Sequence, residues 1–428
     1  MKKFALMSVS LLMALMPLTS CSSDDDDPKE VGPVAPLFSE TVYTAENGLE
    51  LTYSGAPMLG KTVKFTPDAN NGTKGTLTLS STFDLSAMPL DDGDQAPVTG
   101  SIAGPGVIPG SAETVLDIIL EGNSDNATFS GTSENQYCRF NYNGEISKEG
   151  LKLNITDVKL NNTSLCANWK LAKFAMDDET YEISANPIHI VWESGADINL
   201  FGSPTPVSDL LKLLMVMPLV NDMTLTLPNA LNSVLSDVSF LEDGNIQATY
   251  LDAENGATEF AKSPLNLMQY VLNSSNSMLL FINPQAVIAA DAENNPDEPE
   301  NPDSPAKAMS RDGETTEPAF DIDALLPNIM AQLVPMLSNG VPMAYNIDGE
   351  KLCLYLDTNI LLPLLKQNVL PLLKNEEFVK SIIDMVAADP DMGYIAMFLP
   401  DMLTSIADVI EQTTRLEVGL NFDGKTAL

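Results

Sequence analysis

Between Gly48 and about Lys173 the chain is a succession of short segments in which apolar and polar residues alternate, broken by Gly, Asn and other turn formers. Leu49-Glu50-Leu51-Thr52-Tyr53, Thr62-Val63-Lys64-Phe65, Gly75-Thr76-Leu77-Thr78-Leu79, Val115-Leu116-Asp117-Ile118-Ile119-Leu120, Ala127-Thr128-Phe129 and Leu151-Lys152-Leu153-Asn154-Ile155 all read this way. A period of two puts successive side chains on opposite faces of a strand, so each segment buries one face and needs neighbours to cover it. Asn141 to Ile146, followed by Lys148-Glu149-Gly150-Leu151, reads as a hairpin, with Gly supplying the positive φ that tight connections require. The pattern predicts an antiparallel β domain over residues 41–175, sandwich or barrel-like.

The texture changes near Met176-Asp177-Asp178-Glu179, and residues 185–428 read as a mixed α+β domain. Ser208 to Met217 predicts a helix, with Ser208 as its N-cap and Pro218 as its stop. Thr224 to Leu227 reads as a strand, and Val238 to Tyr250 as a hairpin around Asp243-Gly244-Asn245. Pro264 to Leu272 reads as a short helix and Met278 to Ile282 as a buried strand. Residues 290–318 are acidic, Pro-rich and poor in large apolar groups, which predicts a disordered loop inside this domain. Val341 to Tyr345 and the Asp348-Gly349 turn then resume the mixed pattern. Apolar helices are predicted over 322–337, 360–373, 377–387 and 397–412, before an alternating strand from Arg415 to Phe422. Pro327, Pro335, Pro363 and Pro371 should kink or break them. The runs Leu361 to Leu365 and Leu370 to Leu373 are apolar almost all round, which predicts burial on several sides. The expected class is therefore α+β: a β domain followed by a mixed domain with apolar C-terminal helices.

The amino terminus carries an address rather than a fold. Lys2 and Lys3, an apolar run from Phe4 to Met16, and Leu18-Thr19-Ser20-Cys21 resemble a bacterial lipoprotein signal over residues 1–20, in which the cysteine is acylated and becomes the new N-terminus. The apolar run, about 15 residues, is shorter than the roughly 20 that a spanning helix needs. Cys21 is thus the predicted lipidation site. Ser22, Ser23, Asp24, Asp25, Asp26 and Asp27 resemble the export tag of Bacteroidetes lipoproteins carried to the outer face of the outer membrane. Residues 21–40 form a flexible tether in this reading. The expected location is the outer membrane, lipid-anchored and facing outward.

Charge excludes one class of partner. With 59 acidic and 22 basic residues the formal net charge is −37, a surface that repels nucleic acid. Leu90-Asp91-Asp92-Gly93-Asp94 is the best local calcium candidate, yet it lacks the twelve-residue ligand spacing of a calcium loop. No metal or cofactor is expected. Besides Cys21 there are Cys138, Cys166 and Cys353, without CxxC or zinc spacing; a Cys138–Cys166 bridge and a pair of buried free thiols both fit. His189 is the sole histidine, in the alternating run Ile188-His189-Ile190-Val191-Trp192, where it faces away from the isoleucines. Any Ser-His-Asp site would rest on it alone.

The mature chain resembles a family of large Bacteroidetes surface lipoproteins, mainly of gut species, whose domain is of unknown function. The likeness rests on Leu51 to Gly55, Leu59 to Phe65, Ile155 to Val158, Asn168-Trp169-Lys170-Leu171, Leu235 to Tyr250, Ser263 to Leu267 and Phe281-Ile282-Asn283-Pro284. It implies an extracellular, two-part protein with no assigned catalytic residue. There is no GxSxG, HExxH or phosphate loop, so the expectation is a non-catalytic surface binding or scaffolding module. Paired carboxylates of a hydrolase are the enzymatic alternative. A carrier of an apolar ligand or lipid is a second reading, since 20 Met residues allow a pliable lining. An accessory glycan-binding protein is a third, with Trp169 and Trp192 the only tryptophans for a stacking platform.

Overall fold

The computed structural model describes residues 37–84, 100–177, 179–180, 182–219, 222–253, 256–294, 335–388 and 397–428. Cys21 with the Ser-Asp run, the tether to residue 36, the Asp91–Asp94 loop, most of the acidic Pro-rich segment and Pro327 lie outside the described residues.

The alternating segments of the first third form two sheets. One joins Thr41–Tyr43, Lys61–Pro67, Lys74–Asp84 and Ser101–Ala103, with Thr114–Ile119 also paired to Lys74–Asp84. The other runs Ala56–Pro57, Leu49–Tyr53, Leu151–Leu160, Cys138–Ser147, Asn126–Glu134 and Glu121–Gly122. Val63, Phe65, Leu77, Leu79 and Leu116 of the first sheet share one buried apolar cluster with Leu51, Phe129, Phe140, Leu153 and Ile155 of the second. Tyr142 reaches from the second sheet to Asp117 of the first, its hydroxyl donating to the carbonyl at 2.7 Å. Only one face of each strand is apolar, so two sheets are needed to hide both sets of side chains. Leu49–Tyr53 pairs parallel to Leu151–Leu160, a departure from the antiparallel rule.

The remainder does not form the expected α+β arrangement. Eight strands, Ala167–Leu171, Leu235–Phe240, Asn245–Tyr250, Met268–Leu272, Ser277–Ile282, Val341–Asp348, Lys351–Leu356 and Thr413–Thr426, pair antiparallel in that order. The last returns to the first through Asn168↔Thr426, Trp169↔Lys425 and Leu171↔Phe422, which closes a β-barrel. Strands hold 47% of the described residues and helices 24%, so the molecule is mostly β. The helices expected over 360–373, 377–387 and 397–412 are present, but they occupy the connection between Lys351–Leu356 and Thr413–Thr426 instead of forming a layer of their own, while most of the helix expected over 322–337 lies outside the described residues. The reason is nonlocal: barrel closure pairs residues about 250 positions apart, and hydrophobic periodicity carries no signal for it. Gly424, at φ 124°, makes the bulge that lets Phe422 and Lys425 both align with the first strand.

Local expectations fare unevenly. Pro264 to Leu272 is not a helix: Met268–Leu272 is a barrel strand, paired on both sides. The helix expected from Ser208 spans Val207–Val216 with Pro206, not Ser208, at its N-cap. Pro363 and Pro371 each remove a backbone donor, and Leu365–Val369 between them is wound as a wider π-helix. Thr358–Leu364 and Leu370–Leu373, expected to be buried on several sides, contain no buried residue.

The sandwich lies against the outer wall of the barrel. Asn266 is 1% exposed with φ 66°, and its Nδ2 donates to the carbonyls of Tyr53, Ala56 and Pro57 at 3.0–3.2 Å. Asn283 Nδ2 donates to Leu59 O at 3.1 Å, and the Tyr53 hydroxyl donates to Asp243 O. Val271 and Phe281, on the barrel's outer face, are buried here. One apolar cluster therefore runs from sandwich to barrel.

Candidate functional site

Residues directly opposite in an antiparallel pair share a face, so the registers trace one ring of inward side chains around the barrel. Trp169, Phe240, Tyr270, Met278, Leu352 and Phe422 lie on it and are almost fully buried. Phe240 and Tyr270 meet edge to face at 5.1 Å, and Trp169 Nε1 donates to Leu165 O at 2.9 Å. This part of the lumen is solid. An apolar inside is also the reverse of an outer-membrane barrel, whose inside is polar. Among the described residues no helix is long and apolar enough to cross a membrane.

Along the same inward face, toward the opposite end, packing loosens. Leu356, Leu420, Ile190 and Ile282 are only half-buried, and Val418, flanked by Ile190 and Leu356, is 39% exposed. The closing strand Thr413–Thr426 outlasts the barrel wall. Its last residues pair with Ala167–Leu171, while Thr413 to Leu420 pair with Ile188–Ser194, which extends the sheet past the rim. Helix Val207–Val216 packs over the inward face of that extension. Between them is a cleft of about 280 Å³ lined by Ile188, Ile190, Trp192, Leu211 and Met215, with Asn186, Glu193, Ser208 and Lys212 also on its lining. Trp192 is anchored by Nε1 donating to Thr413 Oγ1 at 2.8 Å and packs with Ile198, Val207 and Val409. Leu213, Leu214 and Met217 at the end of the same helix are each more than 40% exposed. Apolar clefts at barrel mouths with few polar groups are the usual form of a small-molecule site.

The opposite face of the same strands is polar. His189 and Tyr355 lie on either side of Gly419, their rings 4.9 Å apart. His189 Nε2 is 2.9 Å from Glu417 Oε2, and Arg415 donates to both oxygens of Glu417. Burial pushes the Glu417 carboxyl up, but the hydrogen bonds from Arg415 and His189 outweigh it and hold the group below its ordinary value. The pairing orients Glu417 and covers a glycine; it holds no nucleophile. Burial pushes the Cys138 thiol up to about 12 and Cys353 up to about 11, so both are protonated at neutral pH. Cys138 and Cys166 are free thiols, the latter 3.2 Å from the Tyr270 hydroxyl. Among the described residues no group of three His, Cys, Asp or Glu side chains is placed to hold a metal ion.

Of the residues singled out in the sequence, Trp169 is sealed in the lumen and Trp192 lines the cleft, so neither ring forms an exposed platform. His189 faces away from the isoleucines, as its alternation requires. Val418 escaped notice because an apolar residue in a terminal strand reads as core, and its exposure depends on where the barrel wall stops. Larger depressions lie on outward strand faces of the sandwich, such as the 520 Å³ groove floored by Thr66, Thr76 and Asp117, and at the barrel beside Asn346, Cys353 and Asn421, about 350 Å³. No family model matches the chain, and no curated protein or solved structure matches it.

Proposed function

We propose that this chain is a lipid-anchored cell-surface protein without catalytic chemistry, and that it binds an apolar ligand in the cleft at the open end of its barrel. The observation that carries the reading is Val418: an inward-facing valine, 39% exposed, whose strand partner Ile190 lines the 280 Å³ cleft beneath helix Val207–Val216. An apolar face left uncovered by the described residues is a surface on which a ligand gains by displacing water. The predicted anchor at Cys21 would hold that site at the outer membrane.

The test uses the purified mature chain with its lipid removed. Nile red, an uncharged dye, should brighten in its presence. Val418→Asp should weaken uptake by about tenfold or more, since it places a charge in the apolar face. Asp423→Asn, on the outward face of the same strand, should not change it. No uptake, or equal uptake by Val418→Asp, would remove the barrel mouth as the site.

A further inference from the structure

The chemical class of the occupant follows from the charges around the site, and this rests on the reading above. We infer that the ligand is uncharged, a long-chain ester, alcohol or comparable neutral lipid, rather than a fatty acid or phospholipid.

The inward strand face at this end, from Ile188, Ile190 and Trp192 across Val418 to Leu356, carries no charged side chain, and the charged residues lining the cleft itself are one of each sign, Glu193 and Lys212. Four cations on neighbouring described elements are already bonded to protein groups. Arg415 projects from the outward face of the closing strand and is held by Glu417 and Glu193. Lys212, at the cleft on helix Val207–Val216, bonds Asp209 at 2.9 Å. On the helices beyond the strand Lys351–Leu356, Lys366 donates to Glu411 O and Lys374 pairs with the Glu411 carboxylate.

Among these described residues carboxylates pair Arg415, Lys212 and Lys374 while a backbone carbonyl holds Lys366, and Asp357 caps helix Thr358–Leu364 by accepting from the amides of Asn359 and Ile360. A carboxylate or phosphate entering the cleft would lose its hydration without gaining a free counter-ion. The overall charge of −37 also disfavours its approach. A neutral chain meets neither penalty, and its hydrocarbon matches the Ile, Leu, Met and Trp lining.

Two competitors differing only in charge separate these classes. Against Nile red bound to the mature chain at pH 8, methyl laurate should displace the dye at least about tenfold more effectively than laurate. Val418→Lys, which adds a cation to the face, should narrow that gap by improving laurate. Lys212→Met should leave the order unchanged. Equal or better displacement by laurate, or its loss on Lys212→Met alone, would overturn the neutral-ligand inference while leaving the site in place. Failure of the dye to bind at all would instead strike the underlying reading.

Discussion

Lys61 begins a sandwich strand with 4% of its surface exposed, and its ammonium donates to Pro105 O at 2.6 Å. Burial lowers its pKa from the ordinary 10.5 to about 7. The unfolded chain then binds more protons than the native one between those values, so this group makes stability rise with pH from about 7 to 10.5. Below pH 7 the ammonium is buried at full cost, roughly 3–5 kcal/mol for a displacement of this size. Lys61→Met should therefore be about 1–3 kcal/mol more stable at pH 6, after the lost hydrogen bond is counted, and should flatten the alkaline rise. Urea unfolding across pH 6–10 measures both. Gly419 is a second residue on which much turns. A Cβ there would lie 2.0 Å from Leu354 O, and the His189 and Tyr355 rings cover the space that a side chain would take. Gly419→Val should cost at least about 2 kcal/mol in the same unfolding experiment. Neither residue was legible in the sequence. Lys61 looks like any polar member of an alternating segment, and Gly419 like an ordinary break in a strand.

The closing strand Thr413–Thr426 works as two elements in succession, with Ile188–Ser194 along its first half and Ala167–Leu171 along its last residues. Deleting residues 421–428 should open the barrel seam while sparing the cleft-side pairing. Amide exchange should then quicken across 167–171 and not across 188–194, and Trp169 emission should shift to the red. On the same strand, Glu417 has its pKa lowered by Arg415 and His189. A depressed carboxylate stabilises the fold above its unfolded pKa and loses that contribution as pH falls through its native value. Glu417→Gln should accordingly be less stable than the parent at pH 7, and the two should converge in strong acid. The strand itself was readable from Arg415 to Phe422 by alternation, as was the helix before it. Its three partners were not, because strand pairing is a contact between distant segments that local pattern does not encode.

Across the whole molecule, sandwich and barrel share one apolar cluster and a junction of buried amides around Asn266. They should unfold in a single cooperative transition. Asn266→Ala leaves the carbonyls of Tyr53, Ala56 and Pro57 without their donor, and should split that transition in calorimetry or lower it by about 2–3 kcal/mol. Sequence alone determined the β character of the first third, the helix preceding the last strand, the acidic surface and, by its resemblance to a lipoprotein signal, the expected role of Cys21. Those properties are local: side-chain alternation, propensity and charge are written residue by residue. Tertiary structure decided that Met268–Leu272 is a strand, that the Leu-rich helices lie in a connection, and that the later strands close on Ala167–Leu171. It also decided that, among the described residues, an apolar face is left open at Val418. Hydrophobic pattern says which residues avoid water; only the closure of the ring, and the point where the wall ends, determines which of them fail to.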